Sequence, residues 1–108
     1  MKLTFEFEPI RQWAYHKGIL TNGDLKTQLC KLTEEQGELA AAILRGDKAK
    51  AIDAIGDCVV VLTSLAHLNG TTIEQCINAA YDVIKDRTGE MQDGNFVKQD
   101  DLTPKSSL

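Results

Sequence analysis

Four carboxylates set among apolar residues pose the first chemical question in this chain: Glu35 and Glu38, three apart in "EEQGE", and Asp53 and Asp57, four apart in "DAIGD". If both segments are helical, a turn of about 100° per residue brings the members of each pair to one side. The first pair then flanks a stripe of Leu25, Leu29, Leu32, Leu39 and Ile43, and the second falls in line with Val60 and Ser64. Acids gathered in apolar surroundings oppose their own ionisation through desolvation and mutual repulsion, so something positive must offset the cost. An oxygen-only donor set suits a hard divalent ion, Mg²⁺ or Mn²⁺. Because Mg²⁺ usually keeps waters and binds together with phosphates, the chemistry indicated is phosphoryl chemistry. The competing reading of Glu34, Glu35 and Glu38 is a solvated helix face. Asp57 fits that reading less well: no basic residue stands three or four positions from it, whereas Asp53 has Lys50 and Lys48 nearby.

Positioning these acids takes two helices joined by a short turn. Asp24 can cap the first, whose apolar residues recur at steps of three, four and seven and which Gly46 ends; Asp47 can cap the second, which runs to Asn69-Gly70. The short "RGD" connection folds them antiparallel, so that all four acids converge. Upstream, "EPIRQWAYHKG" predicts a helix over residues 8–17 with Pro9 in its first turn, broken by "GILTNGD". Downstream, Thr72 opens a further helix through "IEQCINAAYDVIKDR", with Ile73, Cys76, Ile77, Ala80 and Ile84 on one face and Gly89 as its end.

The expectation is therefore an all-α domain spanning residues 1–108: a four-helix bundle-like subunit with core helices over 8–87. The tail, 88–108, forms a short C-terminal extension or a hairpin at its "DG". The helix holding Asp53 and Asp57 is apolar all round between Ala51 and Leu68, and a chain this small offers few neighbours to enclose it. Some of those neighbours should come from a second copy, making an oligomer.

Composition sets outer limits. The 108 residues are 43% apolar and 26% charged, with two prolines, which favours a globular helical protein over a β-sandwich. A net charge of −4 argues against a sequence-independent grip on nucleic acid. Cys30, Cys58 and Cys76 form no CxxC pair and read as reduced core thiols. No run of eighteen apolar residues occurs, and "MKLTFEFEPIRQW" lacks the pattern of a signal peptide. The expected setting is soluble and cytoplasmic, with no membrane and no nucleic-acid partner.

"EEQGE" followed by "DAIGD", preceded by "QLCK" and followed by "NAAYDVIKDRTGEMQDGNFVK", resembles the MazG-like all-α nucleoside triphosphate pyrophosphohydrolases, particularly the small single-domain versions often encoded by phages. The likeness runs from about Trp13 to Lys98. It implies an enzyme that hydrolyses a (d)NTP to the monophosphate and pyrophosphate with Mg²⁺ on an ExxE…ExxD carboxylate set, in helical subunits that form homodimers or homotetramers. Glu35 and Glu38 match the ExxE, and Asp57 the final Asp; Ala54 stands where the common form has its second Glu. Asp53 is the evident substitute as a fourth ligand, although one residue of shift turns a helical side chain by about 100°. Glu34 is a further catalytic candidate, orienting water, against the solvated-face reading.

Positive groups should meet the phosphates. Lys31 lies on the carboxylate flank, and the resemblance implies the same role for Lys85 and Arg87, which could instead simply complement a helix C-terminus. Asn78 and Tyr81 share a face with Lys85 that suits a ligand or a subunit. Trp13 offers the base a stacking platform, or else anchors the core. The lone His16 and His67 are assigned no chemistry. The alternative to an enzyme is a catalytically silent helical interaction module that kept the fold after losing a ligand, as Ala54 allows.

Overall fold

A computed structural model describes residues 4–102 of the chain. Helix α1 spans Glu8–His16, a single turn α2 Ile19–Asn22, α3 Leu25–Leu44, α4 Lys48–Leu68 and α5 Ile73–Ile84; strands β1 (Gly89–Gln92) and β2 (Asn95–Lys98) and a 3₁₀ turn, Gln99–Asp101, follow. The fold is all-α with one small hairpin. Two compact units divide it, residues 1–76 and 77–108.

The helix starts are fixed by local chemistry. The Thr27 N–H donates to Asp24 Oδ1 at 2.8 Å, and the Lys50 N–H to Asp47 Oδ1 at 3.1 Å, so each aspartate takes up a donor that its helix leaves unpaired. α5 begins on a reciprocal box in which the Gln75 N–H donates to Thr72 Oγ1 and the Thr72 N–H to Gln75 Oε1. Gly46 turns the chain between α3 and α4 with φ of 70°, a left-handed conformation open to glycine.

In the first unit α3 and α4 fold back on each other across Arg45-Gly46-Asp47, with α1 and α2 laid against α4. The buried residues there are small, Ala14, Ala42, Ala54, Val61, Thr63, Ser64 and Ala66, together with Ile73 and one acid, Glu35. Arg11 ties α1 to the start of α5: its Nη2 donates to Glu74 Oε2 at 2.7 Å, a second N–H bonds the other oxygen, and Nε donates to Glu8.

Several expectations need correction. Leu25, Leu29 and Ile43 of the α3 stripe are exposed, as are Leu44, at 87%, and Ile52, Ile55 and Leu62 of α4, because one hairpin of helices covers only one side of each. Cys30 and Cys76 are exposed and Cys58 half-buried, so these thiols are not core residues. "GILTNGD" breaks the first helix as expected, and it also holds the turn α2. α4 is long and apolar enough to cross a membrane by length and composition, with a mean hydropathy of 1.6 in its best eighteen-residue window. Its two aspartates and its packing along α3 give it the place of a central helix.

In the second unit α5 ends at Ile84, short of Gly89, and Gly89 pairs with Lys98 across the hairpin. A Cβ at Gly89 would run into the Val97 carbonyl, so glycine serves strand pairing here and not helix termination. The expected "DG" turn is present, with Asp93 and Gly94 both left-handed at φ of 50° and 84°.

Candidate metal centre and its clefts

Three of the four acids meet. Glu35 and Glu38 lie three apart on α3, and the back-folding of α4 brings Asp57 opposite them, so that one oxygen from each falls within 4.8 Å of the others. Glu35 is buried, Asp57 half-buried and Glu38 exposed. Lys31, one turn back on α3, sets its Nζ 3.3 Å from Glu35 Oε1 and 3.6 Å from Glu34 Oε2. The second oxygen, Glu35 Oε2, is buried with no hydrogen-bond partner among the described residues. A buried carboxylate oxygen without a donor is costly, and a hard cation held among the three carboxylates would satisfy it.

The electrostatics agree. The charge of Glu35 and a hydrogen bond with it hold Glu38 above the ordinary carboxylate range, with Asp57 adding to the effect. Burial first, then the charges of Asp53 and Glu35, push Asp57 up. The Lys31 ammonium is held above its usual value by its bond to Glu35. Burial, and then the same acids, raise the Cys58 thiol, which keeps it protonated. Crowded acids raise one another in this way, with Lys31 offsetting part of the effect.

Asp53 stands apart from the compact set. It lies beside Asp57, close enough to oppose its ionisation, and opens toward another cleft. The expected convergence of four acids is thus a set of three with Asp53 on its border.

Two clefts in the first unit adjoin the acids. One, of about 380 Å³, is lined by Trp13, Ile19, Gln28, Lys31, Glu34, Glu35, Asp57, Val60 and Ser64 among others. Trp13 is 48% exposed and also lines a shallower groove with Pro9, Ile10, Asp57 and Val60, so it walls the cleft and is not a core anchor. The other, of about 350 Å³, lies toward the α3–α4 turn and is lined by Glu38, Arg45, Asp47, Lys50, Asp53 and Ala54, with Ala41 and Ala42. Sequence reasoning did not single out Gln28, Arg45 or Lys50. Gln28 could have been found, since Gln28, Lys31 and Glu35 follow each other at three and four residues on one α3 face.

Of the remaining candidates, Asn78, Tyr81, Lys85 and Arg87 belong to the second unit. There Lys85 pairs with Asp82 at 3.5 Å, and Arg87 lines a polar cleft with Asp86, Thr88, Lys98 and Asp100.

A mostly helical chain whose central helix pair gathers three carboxylates, one of them with a buried, unpartnered oxygen, offers a donor set that could hold a metal ion beside a cleft. The chain belongs to the MazG nucleotide pyrophosphohydrolase domain family, whose profile matches residues 24–91. That span holds α3, α4, α5 and the three acids, and leaves α1 with Trp13 outside. A curated relative is the "Uncharacterized 18.2 kDa protein in rep-hol intergenic region" of Haemophilus phage HP1 (strain HP1c1), 37% identical over 60 residues. The match covers 56% of this chain and 37% of the length of that phage protein. No solved structure matches the chain.

Proposed function

We propose that the protein hydrolyses a (deoxy)nucleoside triphosphate to the monophosphate and pyrophosphate, using Mg²⁺ or Mn²⁺ held by Glu35, Glu38 and Asp57. The observation that carries this reading is the buried, unpartnered Glu35 Oε2 within a three-carboxylate set that opens on the Trp13 cleft. When bound, the cation supplies charge neutralisation for the phosphates and lowers the pKa of water near them. The protein's own task is chiefly to position. Trp13 offers a face for the base, Lys31 sits where a phosphate oxygen would draw it from Glu35, and Glu34 at the cleft edge orients water and takes its proton.

Asn78, Tyr81, Lys85 and Arg87 remain proposed substrate contacts on the strength of the family likeness. The uncovered Ile43, Leu44, Ile52, Ile55 and Leu62 support assembly as a homodimer or homotetramer. We further propose one working domain and a cytoplasmic setting, and the net charge of −4 supports a role without nucleic acid.

A nucleotide panel with Mg²⁺ and product identification tests the activity. Pyrophosphate release, abolished in Glu38→Gln with folding retained, is expected. Absence of release from every nucleotide, with no calorimetric Mg²⁺ binding, would instead favour the silent module.

A further inference from the structure

The cleft near the α3–α4 turn has no part in the reaction as described so far, yet it shares a wall with the acids. Glu35 and Asp57 face the Trp13 cleft, and Glu38 faces this one. The two clefts differ in chemistry. The first offers an indole and aliphatic groups beside Lys31 and three acids, whereas the second offers Arg45 and Lys50 beside Glu38, Asp47 and Asp53 and, of apolar groups, only alanines.

We infer that the second cleft is the seat of the diphosphate leaving group, so that the nucleotide lies with its base toward Trp13 and its terminal phosphates toward Arg45 and Lys50. The inference rests on the hydrolase reading and gives it a direction.

Unlike Lys31, which Glu34 and Glu35 engage, neither Arg45 nor Lys50 makes an ion pair among the described residues. Both stand exposed at the cleft with donors to spend. A guanidinium can grip two phosphate oxygens at once, and an ammonium adds a point charge. The acids of the same cleft do not cancel this. Asp47 is engaged in capping α4, and a diphosphate binds together with a divalent cation whose charge offsets Glu38 and Asp53. The positive end of α4, in its first turn, adds to the field. Ala54 is nearly fully buried on the cleft wall, and any longer side chain there would project toward the space assigned to the phosphates.

Water adds to the α-phosphorus, the bond from that phosphorus to the bridging oxygen breaks, and the oxygen leaves on pyrophosphate beside Arg45 and Lys50. The water's proton goes to Glu34 and then to solvent.

The test is calorimetry of inorganic pyrophosphate in excess Mg²⁺ on the full chain, comparing the parent with Arg45→Ala, Lys50→Ala and, as a charge-matched control outside the cleft, Lys48→Ala. Each cleft substitution should weaken pyrophosphate binding by about ten-fold or more, as loss of a charged hydrogen bond implies, with Lys48→Ala unchanged. Mg²⁺ binding should stay the same in all four proteins. Equal pyrophosphate binding in parent and cleft variants, or equal loss in the control, overturns the inference. A parent that binds pyrophosphate through Arg45 and Lys50 but cleaves no nucleotide keeps the subsite and refutes the hydrolase reading. A parent that cleaves nucleotides with unaltered kinetics in both cleft variants keeps the reading and removes the subsite.

Discussion

Replacing Asp57 with asparagine should stabilise the metal-free protein and destroy its response to metal. The three carboxylates offer oxygens within 4.8 Å of one another, and at that distance two unit charges repel by about 1 kcal/mol with water-like screening and about 3.5 kcal/mol at an effective dielectric of about 20. Asp57 is half-buried, so the lower part of that range applies, and relief of about 1 kcal/mol corresponds to a rise in Tm of about 4–8 °C for a chain of this size. The sign follows from linkage. Asp57 is pushed up in the folded state, so between the ordinary aspartate pKa and that raised value the folded chain binds more protons than the unfolded one. Stability of the metal-free parent therefore falls as pH rises through this window and is recovered on acidification; Asp57→Asn should flatten that profile. Added Mg²⁺ reverses the comparison. At a hundred times its Kd a ligand of the folded state contributes about 2.7 kcal/mol to the parent and far less to the variant. The assay is thermal unfolding at several pH values, with chelator and with Mg²⁺. An Asp57→Asn protein that melts lower than the parent in chelator, or keeps the full Mg²⁺ shift, would refute a cation site built on mutual repulsion.

Three further outcomes are expected. Trp13→Ala should raise KM for the preferred nucleotide by about ten-fold through lost stacking while leaving kcat nearly unchanged, and steady-state kinetics would show a kcat effect instead if Trp13 served only to hold the fold. Arg11→Ala removes the bidentate tie to Glu74 and should lower stability modestly in chemical denaturation, since the pair is partly exposed; because α1 carries Trp13, a rise in KM should accompany it, and loss of stability alone would separate the tie from the cleft. Leu44→Glu places a charge at a side chain that is 87% exposed in the single chain, so loss of the proposed homodimer or homotetramer in light scattering supports burial of that face against another copy, and a monomeric parent or unchanged assembly counts against it.

How much of this was legible in the sequence follows from the range of the interactions. Helix starts are decided within four residues: Asp24 and Asp47 cap as their positions foretell, and Thr72 opens α5, with Gln75 completing a box that the structure adds. The end of α5 was misread because Gly89 has two uses, helix terminator and strand glycine, and its choice depends on Val97, eight residues away. Periodicity told which residues of α3 share a face but not whether anything covers it, so a stripe that reads as core is in good part exposed in the single chain.

The site divides along the same line. Two motifs and a three-residue turn sufficed to bring Glu35, Glu38 and Asp57 together, since the register of an antiparallel helix pair follows from its connection. Arg45 and Lys50 could not be ranked from sequence, because a cation's freedom depends on which acids come near it in space. Asp53 was the undecided residue, and its surroundings give it a part: it stands beside Asp57, facing the cleft that Ala54 leaves open. A glutamate at position 54 would carry its carboxylate from a buried backbone position toward Glu38, whereas the alanine keeps that space clear and moves the negative charge one residue round the helix, to the cleft's exposed side. Against the second Glu that the family resemblance implies, Ala54 would therefore change the shape of the cleft as well as the proposed ligand set. Ala54→Glu should strengthen Mg²⁺ binding if the lost ligand was the main consequence, and weaken pyrophosphate binding if the space matters more. The proximity of Arg45 and Lys50 to that space argues for the second.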